Sequence, residues 1–365
     1  MQSLFAFEQC REANFELAKE QLAARFAPDL NSMEVQDKAQ LRKEKEAALA
    51  AFGQIFTNAE AQPDVDAKIL KAATQSLTDY NNRVKKDFDF LRKSTLLDIE
   101  NLSGTYYLLL NLLPALATVA AADKKGAFKN FTDNTFIKAI ADSAELKQES
   151  AKTGGHWDNK MDKVRGWFKD VVRTDEDFLK YADVKSPGQD QELDILKHII
   201  RKLIISHTAI GSFFEEEDLH WTEDKEVLKS MVEKSLKAIK ANGALELQKL
   251  SMEWEEDKEF VEKLFDKAAW LPEKHKSLIG QHTVNWEVDR LPLTDRVVLQ
   301  LAIAELTQFP NIPVKVTINE YIELTKGYST PKSKQFINGI LDVISKELKK
   351  TGEMKKSGRG LIDNK

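Results

Sequence analysis

Val297, Val298, Leu299, Leu301, Ala302, Ile303, Ala304 and Leu306 follow one another so closely that a helix through them is apolar on nearly every face. Such a helix must be covered on most sides, so the rest of the chain has to supply the cover. Thr294 is placed to cap its start, and Pro310 and Pro313 stop it. Thr317-Ile318-Asn319-Glu320 then reads as a capping box, with Val316 and Tyr321 placed for a hydrophobic staple and Gly327 placed to end the helix. Thr330-Pro331 marks a third start. Three short helices are therefore expected across Asn285 to Gly339.

Composition extends that expectation to the whole chain. Of 365 residues, 42% are hydrophobic and 31% charged, while Gly (15) and Pro (9) are scarce, which favours long solvated helices over sheets. The predicted class is all-α. A single cysteine, Cys10, leaves no internal disulfide, and no positively charged, small-residue-terminated signal opens the chain, so a reducing cytoplasm is the expected location. Tyr106 to Ala122 is almost continuously apolar, but it contains Asn111 and Pro114 and falls short of the roughly 20 residues a membrane span needs. It reads as a buried helix or helical hairpin.

Helical spacing recurs along the chain. Leu4, Phe7, Phe15, Ala18, Leu22 and Phe26 form one stripe, ended by Pro28-Asp29, and Phe5 lies off it by about 100°. A second helix is predicted over 32–57, and a third opens after Pro63-Asp64 and runs through Leu77, Tyr80, Val84, Phe88 and Leu91. Gly154-Gly155 and Gly166 break the pattern into shorter pieces between Phe128 and Leu179. Ser186-Pro187-Gly188 is a loop, after which Leu193, Leu196, Ile200, Leu203, Ile204 and His207 share a face, and Glu215 to Asp218 form a solvated acidic end. Helices are predicted over 223–240, stopped by Asn242-Gly243, and over 245–269, closed by Pro272. The Gly- and Lys-rich residues 351–365 read as a disordered basic tail.

The net charge of −5 is unevenly placed, because Lys326 to Lys365 carries 10 basic residues against 4 acidic ones. That end is the better placed to meet an anion. Catalytic signatures are missing: there is no GxxxxGK loop, no GxGxxG after a strand, no HExxH and no nucleophile elbow. His156, His198, His207, His220, His275 and His282 show no i, i+4 pairing for a metal, and the Gly154-Gly155-His156-Trp157 turn reads as a plain loop that could line a pocket. No cofactor, metal site or catalytic residue is expected.

One resemblance remains. Asp289-Arg290-Leu291, Asp295-Arg296 with Val298-Leu299, Ala304-Glu305-Leu306, Ile312 to Val316, Ile318-Asn319-Glu320 with Glu323-Leu324, and Phe336-Ile337-Asn338-Gly339-Ile340-Leu341 resemble, in order and spacing, the transcription antitermination factor NusB family. The likeness runs from about Trp254 to Lys350, and Met1 to Glu8 resembles the family's first helix. The expected organisation is a helical bundle: an extended helical region over 1–250 that begins with the first NusB helix, then a NusB-like domain over 251–350.

The resemblance implies an RNA-binding protein, not an enzyme. It implies that the chain holds a boxA-like single-stranded RNA together with the NusE ribosomal protein on the elongating RNA polymerase, in control of transcription antitermination and termination, including that of rRNA operons. No membrane partner is implied. Similar domains precede catalytic domains in rRNA methyltransferases, but this chain has no cofactor-binding segment or paired catalytic cysteine. The alternative is a helical protein-interaction scaffold in which RNA binding is reduced or lost.

By resemblance, Phe5 and Phe336 match family aromatics on the RNA face, where stacking is worth about 1–3 kcal/mol per base. Both also fit as ordinary core residues, Phe336 because Ile340, Leu341, Ile344 and Leu348 share its side. Lys332 and Lys334 fall in the first turn of the last helix, where the dipole disfavours cations and open amides favour an incoming phosphate. They also fit as solvated lysines. Relatives often carry an acidic residue at the position of Lys332. The family usually has an arginine-rich segment ahead of its first helix, whereas Met1 falls within that helix, so an in-frame upstream stretch encoding several arginines is expected; the codons before Met1 test this.

Overall fold

The computed structural model describes residues 1–29, 31, 35–123, 128–282 and 291–364, with side chains through Ile362. Among the described residues every regular element is helical. In chain order these are α1 (Gln2–Ala24), α2 (Lys38–Thr57), α3 (Ala67–Ala121), α4 (Lys129–Thr132), α5 (Thr135–Asp142), α6 (Ala144–Thr153), α7 (Met161–Asp170) and α8 (Glu176–Ala182). There follow α9 (Gln189–His198), α10 (Thr208–Glu217), α11 (Trp221–Asn242), α12 (Trp254–Ala269), α13 (Glu273–His282), α14 (Leu293–Gln308), α15 (Val314–Tyr328) and α16 (Ser333–Lys350). Two compact units divide the chain: Met1–Leu96 with Glu255–Lys365 form the first, and Leu97–Trp254 the second. The first unit thus joins both ends of the described chain.

In the first unit, α14 is buried along almost its whole length, from Asp295 to Leu306. Its buried Glu305 carboxylate is paired: Tyr321 of α15 donates its hydroxyl to it at 2.9 Å. The α1 stripe is buried at Leu4, Phe7, Ala18, Leu22 and Phe26. Phe15 is only half-buried and packs on Phe52 and Phe56. Phe7 meets Phe88 and Phe265, which stack on each other at 5.4 Å.

The starts of α14 and α15 differ from the sequence expectations for one shared reason. Pro292 and Pro313, with φ near −51° and −61°, already hold the conformation that precedes a helix, so α14 and α15 begin directly after them. Thr294 lies inside the first turn and caps nothing. Thr317 is fully buried inside α15, its hydroxyl 3.4 Å from the Pro313 carbonyl, so the capping box and staple do not form, and Val316 faces outward. Gly327 lies within the last turn of α15, which ends at Tyr328. The helix predicted from 32 begins at Lys38, where the Asp37 carboxylate accepts from the amides of Ala39 and Gln40. Asn285 to Arg290, including the Asp289-Arg290 pair of the family pattern, lie outside the described residues.

The tail expected to be disordered makes defined contacts. Met354 is buried, the Ser357 amide donates to the Pro310 carbonyl at 2.9 Å, and Glu353 pairs with Lys274 at 2.7 Å and with His275. Gly360 lies so close to the Pro310 carbonyl that a Cβ there would collide with it.

The second unit has its own core. Of the apolar run predicted as buried, Tyr106 to Ala122, the part through Ala120 supplies the centre, surrounded by Phe131, Phe136, Phe178, Leu196, Ile200, Phe214, Trp221 and Leu228, while Ala121 and Ala122 are exposed. A buried core explains why α3 carries a stretch long and apolar enough to cross a membrane. Trp157 is buried and donates its indole N–H to the Leu108 carbonyl at 2.8 Å, so the Gly154 to Trp157 turn is a packing element. Gly154 takes φ +74° there, and a Cβ on Gly155 would meet Tyr107 Cβ at 2.9 Å.

The helix predicted from 245 starts only at Trp254. The Ser235 hydroxyl donates to the Glu246 carbonyl at 2.9 Å, and the Gln248 amide donates to the Tyr106 hydroxyl at 3.1 Å. These side chains take up backbone groups that a helix would need for itself. Glu255, Glu256 and Asp257 then fill the first turn of α12, where the helix dipole favours acids.

Candidate nucleic-acid interface

The start of α16 is fixed by a small polar network. Asp295, buried in the first turn of α14, accepts from the Ser329 hydroxyl, and the Ser333 hydroxyl lies 2.9 Å from those of both Ser329 and Thr330. Ser333, Ile337, Ile340, Leu341 and Ile344 face inward. Lys332 and Lys334 therefore fall on the outer side, and both are exposed.

Electrostatically this helix end is unusual. Lys332 occupies the N-cap position without a side-chain cap bond, and the first turn contains no acid. Cations at a helix N-terminus are each unfavourable by about 0.3–1 kcal/mol. An anion arriving from solvent would relieve that cost, and the buried Asp295 carboxylate is already engaged by Ser329.

Phe336 is half-buried one turn further along, packed against the edge of the first unit's core. Phe5 is also half-buried and packs against the same core, which agrees with its place off the α1 stripe. Neither aromatic is a free ring, and neither is fully sequestered. The start of α1 reaches the same end of the unit, since Gln2 Nε2 donates to the Tyr328 hydroxyl at 3.4 Å, four residues before Lys332. Gln2 and Tyr328 carry no charge or periodicity signal that would have singled them out in the sequence.

Elsewhere the polar groups behave structurally. Cys10 is partly buried in α1, and desolvation together with the Asp87 carboxylate pushes its thiol up, away from the thiolate a nucleophile needs. His275 and His282 pair with Glu353 and Glu347, and His198 with Asp175.

The part of the chain that resembles known proteins includes the start of α16. Residues 219–346 match the model of the NusB family. The "Transcription antitermination protein NusB" of Chloroherpeton thalassium is 48% identical over 85 residues, which cover 23% of this chain and 40% of that protein. The protein of the same name from Salinibacter ruber is 42% identical over 101 residues, covering 28% of this chain and 63% of the relative. That from Fervidobacterium nodosum is 48% identical over 71 residues, or 20% of this chain and 50% of its own. The chain thus spans about half the length of these curated relatives. No solved structure matches it. The family match begins at Leu219, upstream of α11 in the second unit, well before the Trp254 at which the residue pattern first becomes legible. Over residues 219–346, this chain is therefore similar to the NusB family.

Proposed function

We propose that the chain is an RNA-binding transcription antitermination factor. In this reading it holds a boxA-like single-stranded RNA together with the NusE ribosomal protein on the elongating RNA polymerase, in the control of rRNA operon transcription, and it performs no catalysis. The observation that carries the reading is the exposed Lys332 and Lys334 pair at a helix start whose N-cap residue makes no side-chain cap bond and whose first turn holds no acid, with the half-buried Phe336 one turn away. Cations and a helix N-terminus bind phosphate, and half-exposed rings stack bases, which is the combination single-stranded RNA requires. Phe5 adds a second ring on α1, and Gln2 ties the start of that helix to Tyr328.

The test is a salt series of binding to a boxA-like RNA, with and without NusE. Counterion release gives a slope of roughly −0.7 per phosphate contact for a single strand. Lys332→Glu is expected to weaken binding and flatten the slope by roughly one contact. No binding at low salt would instead favour the scaffold reading, in which the separately cored second unit carries a protein interaction.

A further inference from the structure

The second unit carries a cleft of about 450 Å³ between α3, α6 and the chain that joins α11 to α12. Glu100 and Tyr107 of α3, Glu145 and Glu149 of α6, and Trp254 line it. Glu149 is paired with Lys152 at 2.6 Å, but Glu100 and Glu145 are exposed and have no ion pair or hydrogen bond among the described residues. Lys249, the one cation in the lining, pairs with none of these acids. The negative field reaches Tyr107, whose phenol is pushed up by desolvation and then by Glu149 and Glu145, with Ser103 and Lys152 opposing.

Part of the cleft wall is backbone with open hydrogen-bonding groups. Residues 245–251 lie between α11 and α12 without helix or strand, and Leu247 and Leu250 pack against the second core. Tyr106 takes the Gln248 amide and Ser235 the Glu246 carbonyl, but the amides of Leu247, Lys249 and Leu250 donate to nothing among the described residues. Those two bonds hold the segment in place before anything enters, which lowers the ordering cost of binding. Trp254 is half-buried, and its ring meets no other ring or cation among the described residues.

We propose that this cleft binds an arginine-bearing peptide segment of a partner protein. The Glu100 and Glu145 carboxylates accept from the guanidinium, which presents a planar fork of donors and also stacks on an aromatic face such as that of Trp254. The open amides over 247–250 donate to peptide carbonyls, which a free polyamine does not have. RNA is disfavoured, because its phosphates would face unpaired carboxylates. The cleft shares no residue with the start of α16, so it stands whether or not that helix end meets RNA.

Fluorescence anisotropy with the full chain tests the proposal. The probe is a labelled peptide of about a dozen residues, with two arginines in a Ser, Leu and Gly background; a control peptide carries Gln for Arg, and spermidine and single-stranded oligo(U) serve as competitors. The arginine peptide is expected to bind, losing roughly tenfold in affinity with Glu100→Gln plus Glu145→Gln and roughly threefold with Trp254→Leu. Trp254→Phe, which keeps a ring, should lose less, with the helicity of every variant checked by circular dichroism. Glu215→Gln plus Glu216→Gln makes the same charge change on the exposed end of α10 and should leave binding unchanged. An equal loss there would reduce the effect to the net charge of −5 and overturn the proposal. Equal binding of the glutamine peptide would also overturn it, as would displacement by oligo(U) or by spermidine at the peptide's own concentration.

Discussion

Tyr181 shows how one buried hydroxyl can set a pH limit on the second unit. It donates to the Asn130 carbonyl at 3.0 Å and accepts from the Asn134 amide at 3.2 Å. Desolvation pushes its pKa up to about 12 from 10.0, the Glu192 carboxylate adding to the rise and the Asn134 donor opposing it. The folded value lies above the unfolded one, so the neutral phenol's contribution is complete below pH 10 and is lost as pH rises through about 12. Alkaline titration followed by circular dichroism should show a loss of helix in that window, which Tyr181→Phe alters. An identical alkaline midpoint in the variant would refute the assignment, which must be made by mutation because Tyr106, Tyr107 and Tyr321 are also raised. At the same scale, Lys332 and Lys334 were readable as exposed cations from their place ahead of Ile337 and Ile340. Asp295 was not readable as their neighbour: its link to Ser329 and Ser333 spans 34 residues of chain and exists only once α14 and α16 pack.

Helices were legible where the apolar period is long and illegible where two signals compete at one boundary. The all-faced apolar run of α14 predicted burial from Val297 to Leu306, and burial is what it has. At α15, Pro313 and Thr317 both advertise a start, and the proline wins because it fixes φ without needing a hydrogen bond. This makes a direct comparison possible. Thr317→Val should cost no more than about 1 kcal/mol, since only a long hydroxyl contact is lost. Asp37→Ala, which removes a true cap from α2, should cost about 1–2 kcal/mol. Urea denaturation of the two variants decides it: a larger loss for Thr317→Val would restore that residue as a cap. The missed opening of α12 has a different origin, since Ser235 of α11 and Tyr106 of α3 reach the 246–248 backbone through side chains that leave no trace in local periodicity.

For the whole molecule, the two separate apolar cores are the main fact that periodicity could not supply. Stripes on α1 and α14 predict burial without saying which stripes share a core, and the division at Leu96 falls within a single helix, α3. Phe131, fully buried and edge-on to Phe178 at 5.1 Å, belongs to the second core. Phe131→Ala should cost that unit about 3–5 kcal/mol. Hydrogen exchange should then show protection lost across 97–254 while α14 keeps most of its own. Equal loss in α14 would mean that the two cores melt as one.

The division of the first unit between Met1–Leu96 and Glu255–Lys365 also bears on how the chain is made. On the ribosome, α1 and α2 emerge with their apolar stripes before α14, which they must help to cover, has been synthesised. The 158 residues of Leu97–Trp254 take roughly 8–30 s to translate at about 5–20 residues per second. The intervening unit can complete its core during that interval, while the earlier helices wait without Phe265, which later packs on Phe7. Nascent chains stalled near residue 254 should therefore recruit chaperones that release only after α14 has left the exit tunnel.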